Sequence, residues 1–357
     1  MENNAQFNPG MLTCAREAKG LTQKELSERL SITQGFLSKV ETGSTSPSKE
    51  LLARAATELN CTERFFSRWP KAWVPPLVLY RKQQKLGALH LRRIHAQILR
   101  KRIELERLLL SVEVPENSIP SVILSTSGWT PSRAALELRS QWQLARGPIP
   151  NVAALLESKG VVVVPMDFKT DLLQGISAPP GDGLPPMVFL NSRLPGDRAR
   201  WTLGHELGHL VLHHHLTREF PADDFEDEAN EFSSEFLMPA NDISGHLAGL
   251  TLRSASDLKR RWGISMSALV MRAATLEQIS ESRKTKLFVE LSRMGWRKKE
   301  PVEIAPEEPA LHRDVLRAHL KDLGYSLAEL AEAMDLPESE LLTELGETRG
   351  ALQLVRS

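Results

Sequence analysis

The segment HELGH places His205 and His209 four residues apart, with Glu206 beside the first of them. In a helix, side chains at this spacing project from one face about one turn apart. Two imidazoles so placed can share one zinc ion (Zn2+), and Glu206 can reach a water at the open coordination position. Zinc lowers the pKa of such a water toward ~7, and a neighbouring carboxylate takes its proton as general base. The chemistry this spacing points to is hydrolysis of a peptide carbonyl. Three more histidines follow, His213, His214 and His215. His213 lies four residues beyond His209 on the same face and is a candidate partner of a ligand or of the transition state. His214 and His215 point elsewhere, as helix-end or surface residues.

A catalytic zinc takes a third protein ligand. The next carboxylate-rich stretch is FEDEANEFSSEFLMP, in which Glu226, Asp227, Glu228, Glu231 and Glu235 all qualify by chemistry alone. In a helix, residues 226 and 230 share a face while 228 points away, so only one of Glu226 and Glu228 can serve. No tyrosine in this part of the chain offers a donor for a developing oxyanion: Tyr80 and Tyr325 both lie outside it.

The elements that would hold these residues are readable around them. The stretch 197–216 is strongly helical, and 225–238 reads as a second helix ended by Pro239. VVVVPM (161–166) and PMVFLN (186–191) read as β-branched, buried strands joined through a Pro- and Gly-rich loop. TPSRAALELRSQWQL (130–144) is a helix with Thr130 as N-cap and Pro131 in its first turn. SASDLKRRWG and ISMSALVMRAATLEQI add two more helices on the far side.

These residues resemble a known family. RWTLGHELGHLVLH followed by EDEANEFSSEFLMP is similar to the ImmA/IrrE metallopeptidases over roughly residues 150–275. The resemblance implies a minimal zincin-like fold. Counted back from LMP, it puts the family's glutamate ligand on Glu226, with Glu228 as the fallback. It also implies a role for Asn230, one turn on, in bonding the first histidine.

A second unit lies near the N-terminus. LTQKELSERLSITQGFLSKVETG reads as a helix, a tight turn at LSI and a second helix opening at Thr33 and Gln34. Thr22 with Glu25 is a capping box, and Thr33 and Ser48 are N-caps of the helices that follow. This is helix-turn-helix geometry, in which the start of the second helix enters the major groove. TQKEL, GFLSKVETG and LLARAATEL resemble the XRE/Cro-type helix-turn-helix family. The resemblance implies that Gln23 contacts the DNA backbone and that Thr33, Gln34, Gly35, Ser38 and Lys39 face double-stranded DNA. Gln34 suits adenine, and Lys39 suits phosphate or guanine. It also implies a homodimer on a pseudo-palindrome. Residues 1–70 hold nine basic against eight acidic side chains, a weak electrostatic footprint for a DNA reader.

The chain of 357 residues has a formal net charge of +0, so global charge names no partner. Its distribution is uneven. Residues 71–110 carry ten Lys or Arg against Glu104 and Glu106, most of them on one long amphipathic helix from about 85 to 111. Residues 301–350 carry four basic against twelve acidic side chains. The basic run reads as a solvated helix face or an added phosphate-binding surface. The acidic tail reads as a packing or dimer element that could cover the basic helix. Two cysteines, Cys14 and Cys61, no signal architecture and no apolar run of membrane-spanning length suggest a cytoplasmic protein with no membrane contact.

The expected fold is mostly α with a small β-sheet, an α+β chain. Its expected parts are a helix-turn-helix domain (1–68), a basic helical linker (69–145), a zincin-like metallopeptidase domain (146–280), and a charged linker with an acidic helical element (281–357). The expected function is a DNA-binding regulator fused to a zinc endopeptidase. The resemblance implies as its substrate an XRE-type repressor or antitoxin, or the chain itself at the Pro- and Trp-rich segment RWPKAWVPP. The alternative is a transcription factor whose peptidase-like domain senses or binds without cleaving.

Overall fold

The structure is a computed structural model that describes residues 6–69, 86–124, 128–181, 183–213 and 223–346. Most of the Pro- and Trp-rich segment, together with His214 and His215, lies outside the described residues. The described chain is mostly helical with one three-stranded sheet, the α+β class expected. No helix among the described residues is long and apolar enough to cross a membrane.

Four helices open the chain: α1 (Pro9–Ala18), α2 (Gln23–Arg29), α3 (Gln34–Glu41) and α4 (Lys49–Leu59). Each start is capped by the side chain of a short polar residue: Asn8, Thr22 in a capping box with Glu25, Thr33 and Ser48. Caps of this kind contribute ~1 kcal/mol each, which matters for helices of two or three turns. The turn between α2 and α3 is closed by Ser31 at φ 50. Leu26, Leu37, Val40, Leu59 and Phe66 fill the core beneath. Cys14 and Cys61 are buried there, and burial pushes both thiols up to about 12. They pack as small hydrophobes, as expected.

The long helix α5 (Ala88–Leu108) follows. Its apolar residues do not serve one core. Ala96 and Ile103 join the core of the first four helices. Ile94, Ile98 and Leu105 lie against the sheet, and Leu108 meets the C-terminal helices. The helix is therefore a wedge among three packed units.

Then come α6 (Pro131–Gln141), α7 (Val152–Ser158), β1 (Val162–Met166), β2 (Gly175–Ala178) and β3 (Met187–Asn191). The sheet order is β1-β3-β2, with β3 parallel to β1 and antiparallel to β2. Alternate residues go to opposite faces. Val163, Val188 and Leu190 enter the core under the HELGH helix, while Val162, Val164, Met187 and Phe189 meet α5. Both faces are covered, which is why VVVV shows no polar alternation.

The remaining helices are α8 (Gly196–Leu212), α9 (Asp223–Leu237), α10 (Ala240–Leu247), α11 (Leu252–Trp262), α12 (Met266–Thr275), α13 (Glu281–Arg293), α14 (Leu311–Lys321), α15 (Leu327–Ala333) and α16 (Glu338–Glu344). One core collects Ala134, Leu138 and Trp142 at its N-terminal side and Leu287 and Leu291 at its C-terminal side. Helices α6 and α13 thus bury their apolar faces on the same core.

The basic helix divides its charge: Arg92 is exposed near Glu17, as a solvated face would have it, while the later charges turn inward. Arg100 and Arg102 are buried, Lys101 bonds Glu104 and Glu344, and Arg107 bonds the carbonyl of Ala333. These charges are turned inward onto carboxylates and carbonyls. The acidic tail does pack there, as expected of a covering element. Fully buried Asp335 bonds Arg68 Nε at 2.6 Å, and its carbonyl accepts from the Thr62 amide at 3.1 Å.

Candidate metal centre and DNA-reading face

Helix α8 lies almost wholly inside the protein, with His205, Glu206 and His209 all buried. Its first turn is held by Asp197, which accepts from Lys259 Nζ of α11 at 2.6 Å. Helix α9 packs along α8 at very close range. A Cβ on Gly204 would stand 2.7 Å from Ser233 Oγ and 3.0 Å from Leu237 Cδ1, so α9 side chains fill the space that any side chain at 204 would need. This approach carries the start of α9 over the histidines.

One nitrogen from each of His205 and His209 and one Glu226 oxygen lie within 4.8 Å of one another. The two Nε2 atoms are 3.1 Å apart, and Glu226 oxygens stand 3.6 Å from the first and 3.7 Å from the second. Ligands about 2.0–2.1 Å from a tetrahedral zinc stand roughly 3.3 Å from one another, so this donor set fits the metal.

The bonds behind the rings point the same way. His205 Nδ1 is 3.0 Å from Asn230 Oδ1, which can only accept, so Nδ1 carries the proton. His213 Nε2 is 2.8 Å from Glu228 Oε2, and His213 Nδ1 is 2.8 Å from His209 Nδ1. With Nε2 of His213 donating to the carboxylate, its Nδ1 accepts from His209. Both Nε2 atoms then present lone pairs to each other across 3.1 Å. A shared cation turns that repulsion into ligation.

Glu228 therefore stands behind His213, separate from the cluster. Burial, with Asp224 and Glu231 nearby, pushes its carboxyl up. His213 lies just past the end of α8, at its C-cap, yet still reaches His209. Asp227, Glu231 and Glu235 are not in the cluster. Glu231 accepts from Ser132, and Glu235 is paired with Arg272.

A cavity of about 200 Å³ opens beside the cluster, walled by Glu206, Thr202, Trp201, Gln174 and Leu172 among others. Thr202 and Trp201 lie one turn before Glu206 and His205, and helical spacing alone would have found them. Gln174 and Gly175 carried no such signal. Gly175 opens β2, a strand of four residues unread in the sequence, and Gln174 immediately precedes it. A Cβ on Gly175 would stand 2.6 Å from Thr202 Cγ2 and 3.0 Å from Glu206 Oε1, so the strand can lie against Glu206 only because this residue is glycine.

In the N-terminal unit, Thr33, Gln34, Gly35 and Lys39 are exposed at the start and along one side of α3, and Ser38 is half-buried beside them. Gln23 is tied inward: its Nε2 donates to Glu41 at 2.8 Å, and Glu41 is clasped by Arg16 at 2.6 and 3.0 Å. That clasp braces α1, α2 and α3.

The family comparison is consistent with this layout. Residues 15–66 match the helix-turn-helix family, and residues 156–274 match the IrrE N-terminal-like domain family. No protein of curated function matches the chain. In the order the sequence suggested, a DNA-binding helix-turn-helix domain is joined in this chain to an ImmA/IrrE-type peptidase domain with a metallopeptidase-like fold.

Proposed function

We propose that this chain is a transcriptional regulator whose second domain is a zinc-dependent endopeptidase, and that it relieves repression by cleaving an XRE-type repressor or antitoxin. The observation that carries the reading is the convergence of His205, His209 and Glu226 beside buried Glu206. His205, His209 and Glu226 would hold the zinc. When bound, the metal would polarise a peptide carbonyl and acidify a water. Glu206, in the cavity wall, takes and returns a proton; Asn230 and the His213–Glu228 pair fix the tautomers of the two imidazoles. Strand β2 pairs only with β3 among the described residues, so an extended substrate segment can add to the sheet beside the cavity.

Metal analysis of protein purified without added metal is expected to find about one zinc per chain, falling to a tenth or less in His205→Ala. A metal content near zero in the wild type would overturn the reading.

The helix-turn-helix domain reads double-stranded DNA as a homodimer, with Gln34 and Lys39 at the bases and phosphates. Gln34→Ala is expected to weaken binding to the cognate operator about ten-fold or more at fixed salt, from loss of a bidentate base contact worth ~1–3 kcal/mol. Unchanged affinity and unchanged sequence preference would remove Gln34 from the reading face. The small size of the cavity favours one second reading, a metal-stabilised sensor domain without cleavage; about 200 Å³ is below the usual range for a ligand site. A zinc-loaded protein that leaves repressor and its own chain intact would decide for it.

A further inference from the structure

A second cavity, of about 570 Å³, lies on the opposite side of the sheet from α8. Its walls come from the end of α1, from α5, from β1, and from α14 and α16. It therefore sits where the DNA-reading domain, the peptidase sheet and the C-terminal helices meet. Its volume is in the ordinary range for a small-molecule site, roughly 300–1,000 Å³.

The wall is charged, and the charges are unevenly satisfied. Lys101 is held by Glu104 and Glu344, Lys169 by Asp167, and Arg100 lies over the Phe65 ring. Arg93 and Arg313 have no carboxylate within ion-pair distance among the described residues. Arg93 Nε and Arg313 Nε are buried without a hydrogen-bond acceptor, and Gln97 Oε1 is buried without a donor. A buried donor left unsatisfied costs about 1–3 kcal/mol, more for a charged group, so such atoms mark places where a ligand adds bonds. His312, in the same wall, is held down to about 4, first by burial and then by the Lys101 cation, with Glu344 opposing.

We propose that this cavity binds a small organic anion carrying a phosphate or carboxylate head. Arg93 and Arg313 grip the anion, and Gln97 accepts from a hydroxyl or amide of the ligand body. A guanidinium presents a planar fork matched to these oxyanions, which is why the head is anionic and planar or tetrahedral rather than a neutral sugar. Arg93 lies against Gly20 at the end of α1, and Arg313 belongs to the C-terminal element. One bound anion would therefore tie the DNA-reading domain to the tail, an arrangement by which a metabolite can bias operator binding.

The test titrates the full chain with AMP, glucose 6-phosphate and citrate by calorimetry, beside adenosine and glucose. At least one anion is expected to bind at one per chain and to raise the unfolding midpoint, with the neutral compounds silent; phosphate and carboxylate arms separate the two head groups. The Arg93→Gln, Arg313→Gln double variant is expected to bind at least ten-fold more weakly while keeping the wild-type zinc content, which reports an intact peptidase domain. Arg313→Gln alone gives the same reading with half the perturbation. Absence of binding by every anion to the wild type, equal binding of the neutral compounds, or undiminished binding by a folded variant would overturn the proposal.

Discussion

Glu206→Gln is expected to lower cleavage of the proposed substrate, an XRE-type repressor or antitoxin, by about 10²–10⁴-fold, the usual contribution of a general base. Zinc content should stay at the wild-type level. The amide is nearly isosteric with the carboxylate, so the packing around Thr202 and Gly175 is preserved. It cannot take a proton, and the loss should therefore fall on turnover, with substrate affinity little changed. His205→Ala and Glu206→Gln then separate two failures: the first loses metal and activity together, the second loses activity alone. Cleavage by the Glu206→Gln protein at the wild-type rate would end the endopeptidase reading, because no other carboxylate among the described residues lines the cavity apart from Glu226, which stands with the ligands.

Lys259→Ala is expected to destabilise the peptidase domain by about 3–5 kcal/mol, the range for breaking a buried ion pair by removing one partner. Lys259 Nζ is 2.6 Å from Asp197 and 2.7 Å from Glu300, and all three side chains are nearly inaccessible. Removing the ammonium leaves two carboxylates facing each other in low dielectric. Each carboxylate keeps a backbone donor at 2.9 Å, the Met266 amide for Glu300 and the Arg198 amide for Asp197, so what is lost is the charge compensation, and on the Asp197 side it falls in the first turn of α8. Zinc retention should weaken along with stability, since that turn seats the helix carrying both histidines. Denaturant unfolding of zinc-loaded protein measures the first effect and metal dissociation the second. A change under about 1 kcal/mol would show that the charges rearrange onto solvent.

How legible each part was depended on the range of the interaction behind it. The caps of α2, α3 and α4 were readable because a cap is a contact between a side chain and an amide three residues away. The His205–Glu206–His209 arrangement was readable for the same reason: helix geometry alone sets it. The choice of Glu226 over Glu228 came from the family resemblance and not from the residue types, since both carboxylates sit in one acidic run. The structure brings Glu226 to the histidines and turns Glu228 to His213. Strand β2 escaped notice because GISA has neither length nor alternation; it is a strand only because β3 pairs with it.

The basic helix shows the same limit more sharply. Its charges invited a reading as solvated or phosphate-facing surface, yet Arg100, Lys101 and Arg102 point into the protein. Their partners, Glu344 and the sheet among them, lie tens to hundreds of residues away, and no local pattern encodes that encounter.

The sequence by itself determined the helices, their caps, the two domain resemblances and the residues able to bind metal, because each follows from spacings of a few residues along one chain segment. Only the tertiary structure decided which carboxylate meets the histidines, which glycine lets the sheet approach Glu206, and where the inward-facing charges are neutralised. Those outcomes depend on close packing between distant segments, and packing is a property of the assembled core.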